Sequence, residues 1–142
     1  MPSIFKPENP NSMLSGRIPA GKRFFKYWLP VIGLCLLIFW QSSFPSITST
    51  PLFPHDDKVM HLIAYAILAF LFARALKQEK PKFTHGKIRF FAILFASFYG
   101  LSDEIHQAFV PLRHASIGDF AADVLGSIVG ACFYLDFLSG KK

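Results

Sequence analysis

At 142 residues the chain is at most one domain, and with 52% hydrophobic residues, 17 Phe and only 17% charged residues it is neither a disordered segment nor an ordinary soluble domain. Its 15 Lys and Arg against nine acids have no soluble basic domain to sit on, which argues against a nucleic-acid footprint. The two cysteines, Cys35 and Cys132, both fall inside apolar stretches and read as small buried hydrophobes, not as a disulfide or a metal pair.

In chain order, residues 1–20 carry Pro2, Pro7, Pro10 and Pro19 among Asn and Ser and read as a flexible tail. A first apolar stretch runs roughly from Tyr27 to Gln41, short of the ~20 residues that a ~30 Å hydrocarbon slab requires, with Pro30 in its expected opening turn. Lys22, Arg23 and Lys26 before it give it the look of a signal peptide. That leader starts late, however, and no A-x-A-like site follows before Pro45, so the stretch is read as a retained helix. The connector from Ser42 to His55, with Pro45, Pro51 and Pro54, is expected to be extended or turn-rich.

A second span is predicted from about Val59 to Leu76, a third from Ile88 to Phe109 and a fourth from Ile117 to Leu138. The expected architecture is therefore all-α: a polytopic membrane protein built as a four-transmembrane-helix bundle over residues 27–138. Among all Lys and Arg residues, only Lys58 and Arg113 fall outside the leader, the middle loop and the tail. By the positive-inside rule both termini are cytoplasmic.

The polar residues cluster at the opposite end. Asp57, Lys58 and His61 open the second span, Asp103, Glu104, His106 and Gln107 close the third, and Arg113, His114, Asp119 and Asp123 occupy the loop and first turns of the fourth. Asp57, His61 and Tyr65 recur every four residues; Tyr99, Asp103, His106 and Gln107 share one helical face, and Asp119, Asp123, Gly126 and Gly130 another. A charge facing lipid is disfavoured by about 2.5–3.5 kcal/mol on insertion scales, so these stripes should turn toward one another. Glu104 lies off its stripe, beside Ser97, Gly100 and Ala108, where small residues admit a neighbouring helix, as Gly126 and Gly130 would on the fourth span. Counted from Ile88, Asp103 sits about 22 Å into the slab and needs a partner there.

The order DKxxHxxxY, then DExxQ with His106 inside it, then Arg113, Ser116, Asp119, Asp123 and Gly126, resembles the VanZ-like family of small bacterial membrane proteins. The resemblance covers about Asp57 to Gly130, roughly half the chain, and carries the motif positions Asp57, Lys58, His61, Tyr65, Asp103, Glu104, Gln107, Arg113, Asp119, Asp123 and Gly126. Leu112 departs from it, since members often have Gly before the Arg. The resemblance implies the inner cell membrane and a role in the cell envelope. The family's namesake is associated with antibiotic resistance, as lowered susceptibility to the glycopeptide teicoplanin.

The preferred functional reading is recognition, by these clustered residues, of an envelope lipid, a peptidoglycan precursor or a glycopeptide. Six acids against Lys58 and Arg113 favour cationic or polar ligands over bare phosphate, although Arg and Lys offer a grip on a single phosphate or carboxylate. The alternative is a metal- or His/carboxylate-dependent lipid hydrolase or transferase, with His61 or His106 as base. No HExxH, paired-cysteine spacing, phosphate loop or nucleophile elbow supports it, so no metal ligands are assigned and no cofactor is named. A purely structural network and a proton-coupled transporter are the remaining readings.

Overall fold

The computed structural model describes residues 19–45 and 56–139, and the expectations for the tail and most of the first connector lie outside them. Four helices follow one another: α1 (Ala20–Ser42), α2 (Asp56–Glu79), α3 (His85–Gln107) and α4 (Ile117–Phe133), the last running on into a π-helical turn at Tyr134–Leu138. There is no strand among the described residues.

Local chemistry sets the boundaries. The Thr84 hydroxyl caps α3 by accepting from Lys87 N at 3.3 Å, and the Ser116 hydroxyl caps α4 by accepting from Gly118 N at 3.2 Å. Asp56 and Asp57 sit in the first turn of α2, where acidic groups complement the helix dipole, and Lys77 sits in its last.

Among the described residues, three segments are long and apolar enough to cross a membrane: Gly21–Ser42, Asp56–Glu79 and Ile117–Leu138. The third helix, expected as a span, has the length, since 23 residues reach about 34 Å. Its apolar character is diluted by Lys87 and Arg89 at one end and by Ser102, Asp103, Glu104, His106 and Gln107 at the other.

The first helix corrects the sequence reading. It begins at Ala20, so the basic Lys22, Arg23 and Lys26 are helical and Pro30 lies in the interior. A proline there cannot donate to the carbonyl one turn back, a cost that tertiary packing of the following turns must offset.

The helices alternate in direction. At one end Tyr27 stacks beneath Arg74, and Arg89 pairs with Asp136 in the π turn. At the other, the polar end, the last turns of α1 and α3 meet the first turns of α2 and α4. Consequently α2 and α4 run parallel, and theirs is the most extensive interface in the bundle.

Small residues make that possible. A β-carbon on Gly126 would overlap the Leu62 carbonyl, and one on Gly130 the Ala66 carbonyl, so the two backbones touch. The core around this contact is rich in alanine (Ala69, Ala73, Ala92, Ala96, Ala131) and is filled by Tyr65, Leu68, Ile88 and Leu135. Large apolar side chains such as Leu36, Phe98 and Leu125 point outward, an inversion that suits acyl chains and not water.

Candidate functional site

Parallel packing of α2 on α4 turns two sequence stripes into a ladder. Lys58 Nζ lies 2.7 Å from Asp119 Oδ1, and one turn deeper His61 Nδ1 lies 2.9 Å from Asp123 Oδ1. The next turns are the glycine contacts already described. Register is thus fixed twice, by charge near the polar end and by backbone contact farther in.

The third helix closes this ladder from the side. Gly100 permits the approach, since a β-carbon there would stand 2.6 Å from Asp123 Oδ2. One turn on, Glu104 Oε2 accepts from Ser116 N at 2.7 Å, which ties the cap of α4 to α3. The other oxygen, Oε1, is turned toward His61 Nδ1 at 3.8 Å and has no hydrogen-bond partner.

A second network joins α3 to α1. Asp103 accepts from Gln107 Nε2 at 2.9 Å and from the Ser42 hydroxyl at 2.5 Å, and that hydroxyl also lies 2.8 Å from the Ile38 carbonyl. Tyr99 donates to the Cys35 carbonyl at 2.6 Å. His106 faces Phe39, with ring centres 4.7 Å apart, and its Nε2 is 3.1 Å from the Ser43 hydroxyl. Arg113 donates from Nε to the Phe44 carbonyl and from Nη2 to the Gln41 carbonyl, both at 3.0 Å, and so holds the end of α1.

Between the two networks lies a crevice. Asp57, His61 and Tyr65 line one wall and Ser42, Asp103, Gln107 and Arg113 the other, with a cavity volume of about 340 Å³ including its open mouth. The interior proper measures only about 30 Å³, room for one or two waters. Tyr65 is 1% exposed, stacks on His61, and its hydroxyl has no hydrogen-bond partner.

The predicted polar residues therefore form two groups. Lys58, His61, Glu104, Asp119 and Asp123 come together between α2, α3 and α4. Asp103, Gln107 and Arg113 face α1, as does His106, which packs outside the crevice. Asp57 stands exposed at the mouth, and His114 is exposed on the loop. The sequence reading assigned no role to Ser42, Ser43 or the carbonyls of Gln41 and Phe44. A signal for Ser42 existed, because a hydroxyl at the end of an apolar helix readily turns toward a buried carboxylate. Among the described residues, two sets of ligand-type atoms each fall within 4.8 Å, His61 with Glu104 and Asp123, and His61 with Asp57 and Asp119.

The loop that delivers Arg113 is strained at its neighbour. Leu112 adopts φ +66° and its side chain is 81% exposed, so it occupies the left-handed region with no packing to repay it. Leu112→Gly should stabilise the protein by about 0.5–1 kcal/mol, the left-handed penalty of about 1–2 kcal/mol less the extra flexibility of glycine when unfolded. Thermal unfolding in detergent checks this, and a lower melting temperature for the variant would contradict it.

A sequence model described as VanZ/LLP1 matches residues 24–139, which takes in most of α1 and the whole of α2, α3 and α4. No curated protein and no solved structure matches the chain.

Proposed function

Because the chain belongs to the VanZ/LLP1 family, we propose that it is a four-span protein of the bacterial cell membrane, with both termini cytoplasmic, that receives the polar head of an envelope molecule at the non-cytoplasmic ends of α2–α4. An envelope lipid, a peptidoglycan precursor or a glycopeptide supplies such a head. The third helix is the fourth crossing in this reading, its charges gathered at its two ends and its middle apolar. The distribution of Lys and Arg supports the orientation.

One observation carries the proposal: a crevice lined by carboxylate, amide, phenol and imidazole opens among outward-facing apolar side chains. Its chemistry narrows the ligand. Lys58 is paired with Asp119 and Arg113 is engaged by two carbonyls, so the groups that would grip a phosphate are committed elsewhere. Asp57 and Asp103 remain on the walls, and an interior the size of one or two waters accepts a primary ammonium or a hydroxyl but not a whole head group. The bulk of the ligand rests at the mouth while one amine reaches in.

The test uses the full chain in nanodiscs containing phosphatidylethanolamine or phosphatidylglycerol, followed by native mass spectrometry of retained lipid. The amine lipid should be retained in preference, and Asp57→Asn, at an exposed position, should lower that retention several-fold without changing the melting temperature. Equal retention of the two lipids, or an unaffected variant, would sink the reading.

A further inference from the structure

We propose that His61, Glu104 and Asp123 form a binding site for one divalent transition ion, Zn²⁺ or Mn²⁺, clamped between α2, α3 and α4. The site lies behind the His61 wall of the crevice, on carboxylates that do not line it, and it stands whether or not head-group recognition is correct.

Geometry comes first. Each residue offers one ligand atom, and the three atoms lie within 4.8 Å of one another. His61 Nδ1 is 2.9 Å from Asp123 Oδ1 and 3.8 Å from Glu104 Oε1. Donors held about 2.0–2.1 Å from a tetrahedral ion stand about 3.3 Å apart, so these two separations bracket what the ion asks for.

The second observation is an oxygen without a partner. Glu104 is 5% exposed, its other oxygen is held by Ser116 N, and Oε1 is left aimed at the imidazole with no hydrogen bond. Asp123 is 0% exposed and one of its oxygens is likewise without a hydrogen bond. Buried carboxylate oxygens are ordinarily satisfied, and the orphaned Glu104 Oε1 turned toward the imidazole is the pattern a cation completes.

Charge points the same way. Among the described residues no Lys or Arg is paired with these three side chains, and Lys58, at the same end of the bundle, is taken by Asp119. One imidazole therefore faces two buried carboxylates, an imbalance that a dipositive ion removes. The overlapping set of His61 with Asp57 and Asp119 is the weaker candidate, because Asp119 is already paired and Asp57 is exposed. One nitrogen with two carboxylate oxygens suits zinc and manganese, and it lacks the thiolates that copper(I) or an iron–sulfur cluster would select.

The experiment strips the full-length protein with a chelator in detergent, reloads it with Co²⁺ as a spectroscopic probe, and then titrates in Zn²⁺ or Mn²⁺. About one Co²⁺ per chain should bind, with visible d–d bands of low coordination number that Zn²⁺ displaces. Glu104→Gln should weaken the affinity by about tenfold or more, and Asp123→Asn should do the same. Asp103→Asn, in the network with Ser42 and Gln107, should leave it unchanged. A wild-type protein that binds no ion stoichiometrically overturns the proposal, and that result requires no variant to fold. So does a Glu104→Gln protein that melts and binds like wild type, or an equal loss in Asp103→Asn, which would mark a diffuse attraction of acids for cations.

Discussion

Gly130→Ala is expected to destabilise the protein by about 2–3 kcal/mol, and Gly130→Leu to abolish its accumulation in the membrane. The added β-carbon would occupy the place of the Ala66 carbonyl, and it would also stand 2.6 Å from the Ala66 carbonyl carbon. These are backbone atoms. No rotamer change can relieve the overlap, so the whole of α2 must back away from α4. That motion would also stretch the His61–Asp123 contact, two turns nearer the polar end. Gly126 meets the Leu62 carbonyl in the same way, one turn earlier. The double variant with alanine at both should lose less than the sum of the single losses, because one separation of the helices serves both. Gly33 provides the control. A β-carbon on it would have nothing within 4 Å, so Gly33→Ala in the same apolar chain should be neutral or stabilising by up to about 1 kcal/mol. Thermal unfolding in detergent, with membrane abundance alongside, measures each of these variants. A Gly130→Ala protein that melts with wild type would show that the two backbones do not touch.

Asp123→Ala is the second large effect, a loss of about 3 kcal/mol. Its carboxylate is wholly buried and takes the His61 imidazole at 2.9 Å, so its removal leaves a polar ring without a partner between three helices. A graded series tests whether burial is the cause. Asp103 is also buried, but its partners are the uncharged Ser42 and Gln107, and Asp103→Ala should cost about 1–2 kcal/mol, near the upper range for interhelical hydrogen bonds in membranes. Asp57 is exposed at the crevice mouth, and Asp57→Ala should stay within about 0.5 kcal/mol. Equal melting temperatures for Asp123→Ala and Asp57→Ala would contradict the order.

Much of this architecture is legible in the sequence for one physical reason. Ionisable residues are so costly beside acyl chains that their spacing on a helix reveals which face is hidden. The four-residue recurrence of Asp57, His61 and Tyr65, and of Asp119 and Asp123, marks the faces that α2 and α4 present to each other. Other features leave no such trace. Arg113 binds main-chain carbonyls of α1, and a carbonyl has no identity in a sequence. The start of α1 was hidden because basic residues and Pro30 look like a boundary, although lysine and arginine are good helix formers. The split of the polar residues into two networks depends on α3 lying between α1 and α4 with Gly100 against Asp123, a matter of helix rotation that periodicity leaves open. Glu104 shows this most clearly. It lies off the stripe defined by Tyr99 and Asp103, yet it reaches the His61 imidazole because its own face is the one that meets α4.

The parallel pairing of α2 with α4 also has a consequence for biogenesis. These helices are not neighbours in the chain, so α2 emerges ahead of its counterpart, with Lys58 and His61 lacking the acids that will receive them. Until the last helix arrives, those side chains are kept wet by the headgroup region. A chain cut short before Asp119 should therefore accumulate less than the full chain, because the residues that lock the finished bundle would be left without partners.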